Sequence, residues 1–89
     1  MRLLTFIYHV EEGDRVRLVY DSSHGGEQTV EGDVEDAHLS EYTSVVTDTA
    51  RYRVWGTGGT GRAIGEVVKR KGHNARKIGT FTDAEVVDR

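Results

Sequence analysis

The clearest signal along the chain is a period of two. Residues 15–20 (RVRLVY) place Val16, Leu18 and Tyr20 on one side and Arg15 and Arg17 on the other, as in a strand buried on one face. Residues 28–34 (QTVEGDV) resume the alternation through Val30 and Val34, with Gly32 marking a bulge or bend. Residues 42–47 (YTSVVT) and 51–55 (RYRVW) read as two further strands that turn at Asp48-Thr49, and Val86-Val87 as a closing one. At the amino terminus, residues 3–10 (LLTFIYHV) are apolar, aromatic and β-branched. They stop at the turn cluster Glu11-Glu12-Gly13-Asp14, which predicts another strand, with Phe6 and Tyr8, like Tyr20, in the core. Many short strands between turn signals predict a mainly β fold: a single small antiparallel barrel or sandwich, one domain over residues 1–89.

Residues 62–71 (RAIGEVVKRK) fit two elements. Ala63, Ile64, Val67 and Val68 make a helical apolar stripe, Glu66 and Arg70 stand four apart, and Gly72 fits a helix C-terminus. Gly65 in mid-helix costs about 1 kcal/mol, and adjacent valines favour a strand. The favoured reading is a hairpin pairing 50–55 with 63–69. A short helix at 62–71, giving an α+β fold, is the alternative.

Between those segments lies GTGGTG, in which Gly56, Gly58 and Gly61 have the G-x-G-x-x-G spacing of a dinucleotide-binding turn. The first strand of that fold is continuously apolar, whereas Arg51 and Arg53 alternate with Tyr52 and Val54, and the preceding half of the chain is a meander. Dinucleotide binding is therefore the third functional reading, and no cofactor is expected. The lysine and hydroxyl of a P-loop are also missing after the last glycine. A hairpin tip is the plain reading. Its Gly58, Gly59 and Thr60, flanked by Arg53 and Arg62, are candidates to contact phosphate through backbone N–H groups and the hydroxyl.

Charge changes the picture more than composition does. The net charge is −3, but residues 1–50 hold three basic groups against eleven acidic ones. Residues 51–77 hold eight basic groups and a single acid, Glu66. Such asymmetry favours a polyanionic partner, unless the fold brings the two segments together and cancels them. Lys69-Arg70-Lys71 followed by Arg76-Lys77 is the densest part of the basic segment. Nine arginines against three lysines, with many acids, resemble proteins of salt-loving archaea or their viruses. High salt would screen the attraction such a patch exerts.

The segment GDRVRLVYDSSHGGEQTVEGDVED, residues 13–36, resembles the KOW motif and, more loosely, the first hairpin of Sm-like proteins. The likeness lies in a Gly-Asp turn, a basic-apolar strand, a glycine loop and a strand closing on Val-Glu-Gly-x-Val. It departs from KOW sequences in its Ser-Ser-His-Gly-Gly loop, where they carry a proline and a basic residue, and in its acidity beyond residue 26. The resemblance implies a five-stranded small barrel of a kind that commonly binds RNA, DNA or ribosomal and transcription partners.

The candidate nucleic-acid-binding residues are Arg53, Arg62, Lys69, Arg70, Lys71, Arg76 and Lys77, with Trp55 for base stacking and Tyr52 and Phe81 as further aromatics. Packing in a small core is the competing role for all three rings. The absence of cysteine removes disulfides, thiolate metal sites and thiol catalysis. His9, His24, His38 and His73 lack ligand spacing, so no metal is expected. Glu31, Asp33, Glu35 and Asp36 form an acidic strand edge with no nucleophile beside them, and no catalytic constellation stands out. The apolar amino-terminal run is too short for a membrane span, so a cytoplasmic protein is expected. The leading expectation is a non-enzymatic module binding DNA or RNA. The alternative is an interaction or structural module in which the acidic half of one copy meets the basic half of another, a homo-oligomer.

Overall fold

Alternating positions become the two faces of a closed ring. The computed structural model describes residues 1–37, 41–56 and 61–88. Within them lie one helix, α1 (Leu3–His9), and six strands: β1 (Arg15–Ser22), β2 (Glu27–Ala37), β3 (Tyr42–Val46), β4 (Arg51–Trp55), β5 (Glu66–Lys71) and β6 (Asn74–Asp88). The strands pair in sequence order, each antiparallel to the next, and β6 returns to β1 to close the barrel. The resemblance at residues 13–36 implies five strands; this ring has six. Closure pairs each strand on both sides over part of its length, and among the described residues β2 runs past β3 at residues 27–32 and β6 past β1 at residues 74–77.

The core follows from the alternation. Val16 and Leu18 are fully buried between exposed Arg15 and Arg17, and they meet Val34, Val45, Val54, Val67, Phe81 and Ala84 from the other strands. One end of the barrel is stoppered by α1, where the sequence predicts a strand. Leu3, Phe6, Ile7 and Val10 recur at the spacing of one helical face, and that face turns inward. Phe6 stacks on Phe81 with ring centroids 5.5 Å apart. A strand would have placed Phe6 and Tyr8 on the same side. In the helix they separate, leaving Phe6 sealed and Tyr8 52% exposed, so Tyr8 is not a core residue. Tyr20, also expected in the core, is only partly buried and packs against its rim.

Residues 66–71 form a strand, so the helical alternative at 62–71 is overturned. Val54 pairs with Val67 and Arg51 with Arg70, so the hairpin forms, with its second strand at residues 66–71 and not at the expected 63–69. β6 is far longer than the closing Val-Val pair. It serves both β1 and β5 and shifts register on each side, between Val19 and Tyr20 against β1 and between Val67 and Val68 against β5. Gly79 makes this double pairing possible. A Cβ there would run into the Asp21 carbonyl oxygen and come within 2.8 Å of the Tyr20 ring. Gly79→Ala is therefore expected to cost about 1–3 kcal/mol, measured by urea unfolding. An alanine variant as stable as the parent would contradict this account of the β1–β6 contact. Gly32 plays a similar part: its pairing with β1 is unbroken, and what it permits is close approach of the Val46 carbonyl on β3 rather than a bulge at its own position.

Candidate nucleic-acid interface

At the end of the barrel away from α1, β5 and β6 are joined by the two-residue loop Gly72-His73. Gly72 has φ +60° and His73 a negative φ, the signature of a hairpin turn that starts on glycine. β4 accompanies β5 only as far as Arg70, and β1 accompanies β6 only back to Gly79. Residues 70–77 are exposed throughout.

Register divides the cations between two faces. Lys69 stands opposite Arg76 and Lys71 opposite Asn74, on the face that continues the barrel interior through Tyr52 and Val67. These residues, with Ala75, line an open concavity of about 560 Å³. The Lys69 ammonium sits 5.7 Å from the centre of the buried Tyr52 ring, at the inner end of this face. Arg70, opposite Ala75, and Lys77, opposite Val68, occupy the outer face.

The remaining arginines of the sheet are mostly neutralised within the fold. Arg15 bonds Glu31 at 3.1 Å and Asp33 at 3.3 Å, and Arg17 bonds Glu31 at 3.3 Å and also Glu85. Arg51 reaches across to Asp36 at 3.1 Å and to Glu35. Arg62 lies 3.5 Å from Glu66, whose buried carboxylate also accepts the Ala63 N–H. The acidic β2 edge is thus an ion-pair partner for β1 and β4. By contrast, Lys69, Arg70, Lys71, Arg76 and Lys77 make no ion pair among the described residues.

The β2 network leaves a mark on acid titration. Hydrogen bonding from Arg15, aided by the charges of Arg15 and Arg17, holds the Glu31 carboxyl below its ordinary value of 4.5. A depressed carboxylate stabilises the fold fully above the unfolded value, and the contribution fades as pH falls through the folded one. Glu31→Gln should therefore flatten the loss of stability below about pH 5, followed by urea midpoints across the acid range. An unchanged acid slope would contradict the pairing.

The other candidates are not gathered with the hairpin. Arg53 is half-buried, with its guanidinium 4.6 Å above the Tyr42 ring and a buried Nε that has no hydrogen-bond partner among the described residues. Arg62 is engaged by Glu66 near the far end of β5. Trp55 is corrected as a stacking residue: it is 8% exposed and packs against Tyr42, with ring centroids 4.9 Å apart. Tyr52 and Phe81 are likewise buried. Gly58, Gly59 and Thr60 lie outside the described residues. Gly56 and Gly61 connect antiparallel strands, and no helix follows Gly61 among the described residues, so the strand–turn–helix frame of a dinucleotide fingerprint is not formed. What sequence reasoning missed is the division of the basic run into two faces and the place of Asn74 between them. Its signal was present: Lys69 and Lys71 on one side of Gly72-His73, Asn74 and Arg76 on the other, at matching two-residue spacing.

Among the described residues, no helix is long and apolar enough to cross a membrane. Compared with known proteins, the chain matches no family model, no curated protein and no solved structure.

Proposed function

We propose that this domain is a non-catalytic nucleic-acid-binding module that holds a phosphate backbone on the β5–β6 hairpin. One observation carries the reading. The fold neutralises Arg15, Arg17, Arg51 and Arg62 with its own carboxylates, yet leaves five hairpin cations without an ion pair among the described residues. Like charges held this close repel one another, and a polyanion relieves that repulsion while releasing its own counterions. The contacts available are to phosphate, so binding is governed by salt and only weakly by sequence.

The head-to-tail assembly of acidic and basic halves is less well supported. The β2 carboxylates it would need, Glu31, Asp33, Glu35 and Asp36, are already engaged by β1 and β4 arginines. Fluorescence anisotropy with labelled 20-nucleotide DNA and RNA, single- and double-stranded, tests the proposal. Saturable binding at 50 mM salt that weakens at 200 mM is expected for at least one of them. No binding to any of the four at 50 mM would overturn it.

A further inference from the structure

The inward side of the β5–β6 hairpin points to a particular ligand: we infer that the concavity at the mouth of the barrel takes the terminal phosphate of a nucleic-acid strand. This rests on the nucleic-acid reading above and narrows it. Strand alternation sorts charge between the two sides of the barrel at this end. From buried Val16 and Leu18 the inward positions of β1 continue through Tyr20 to Ser22. From Val34 those of β2 run back through Val30 to Gln28. None is an acid, and Asp21, Glu27, Glu31 and Asp33 all fall on outward positions. From Val67 the inward positions of β5 are Lys69 and Lys71, and those opposite them on β6 are Arg76 and Asn74. Three cations and an amide thus share one concavity of about 560 Å³, with no carboxylate among the described residues that line it. The outer side differs. Arg70 stands opposite Arg51, which holds Glu35 and Asp36, so a polyanion there meets two carboxylates.

The chemistry selects a terminal group. Three like charges around one concavity repel one another, and an internal phosphodiester brings a single negative charge to offset them. A terminal phosphate brings about 1.5 to 2 negative charges at pH 7, on three acceptor oxygens. Arg76 offers a planar fork that matches two of those oxygens, the lysines act as point charges, and the Asn74 amide adds neutral donors. The inner end is shut. Lys69 lies 5.7 Å from the centre of the Tyr52 ring, and that ring is buried in the core with Val54 and Val67. A chain end reaches such a floor directly, whereas an internal segment must turn and come out again. A strand with hydroxyl ends engages these cations one phosphate at a time from the rim, and a terminal phosphate lets three converge.

The experiment compares a labelled 20-nucleotide strand, as DNA and as RNA, in three forms: hydroxyl at both ends, phosphate at the 5′ end, and phosphate at the 3′ end. Anisotropy at 50 mM salt should show at least one phosphorylated form binding at least tenfold more tightly than the hydroxyl form. Lys69→Ser/Arg76→Ser should abolish that ratio. Arg70→Ser/Lys77→Ser should weaken every form and keep the ratio, and both variants are first checked for an unchanged circular dichroism spectrum. Inorganic phosphate or a nucleoside monophosphate at 100 μM should leave the phosphorylated strand bound, since neither carries the backbone that the outer cations hold. Equal binding of the three forms, or a ratio that survives Lys69→Ser/Arg76→Ser, would overturn end capture while leaving backbone binding intact. Displacement by either small phosphate would assign the concavity to a free phosphorylated ligand and overturn the strand end. No binding by any form would overturn end capture as well, and the duplexes of the preceding test would then decide backbone binding alone.

Discussion

Replacing Lys69, Arg70, Lys71, Arg76 and Lys77 together with serine is expected to lower affinity for a short DNA duplex at least about 10³-fold at 50 mM salt. The magnitude follows from counterion release. Five cations on five phosphates give a log–log salt slope of about −4.5, so the parent itself should lose about 500-fold between 50 and 200 mM salt. The variant should bind with almost no salt dependence. Arg15→Gln/Arg17→Gln removes two cations as well, but ones that Glu31, Asp33 and Glu85 already neutralise. Its affinity should fall less than about tenfold. Anisotropy titrations at four salt concentrations read both variants. If the β1 pair costs as much as the hairpin set, affinity depends on overall charge and not on this surface.

Phe6→Ala is the largest expected loss of stability. Its ring is fully buried, faces Phe81 and stoppers the barrel from α1. Deleting it removes burial and leaves a cavity bounded by strands that closure holds apart, at a cost of about 3–5 kcal/mol. A chain of this size has about 4–13 kcal/mol in total, so the variant sits near the edge of folding. Tyr8→Ala, on the exposed face of the same helix, should change stability by no more than about 0.5 kcal/mol. The pair separates helix from strand, because a strand would bury both rings together. Urea midpoints that fall equally for the two variants would contradict α1.

How much of this was legible depends on whether local pattern or distant pairing decides a residue's place. β1 and β4 were readable because each alternates within itself, and β3 because its short β-branched and aromatic run stops at a turn. β6 was not: register shifts against β1 and β5 break its period, and Gly79 sits where a strand pattern would ask for a side chain. The run at residues 3–10 is apolar enough to satisfy either period, and only the need to cap the barrel selects the helix. The sequence left Trp55 open to base stacking or to packing in a small core. The outer-face pairing with Tyr42, thirteen positions earlier, covers it. The basic run itself was plain in the sequence. Its isolation was not, because the neutralised arginines of β1 and β4 find carboxylates 14 to 68 positions away, through strand register.

The most direct test of the central claim is a heteronuclear NMR titration of the labelled protein with a short DNA duplex at 50 and 200 mM salt. The account predicts shifts concentrated at residues 69–77 that shrink at the higher salt, with the Arg15 and Arg17 amides unmoved. Shifts centred on β1 and β2, or none at 50 mM salt, would contradict it.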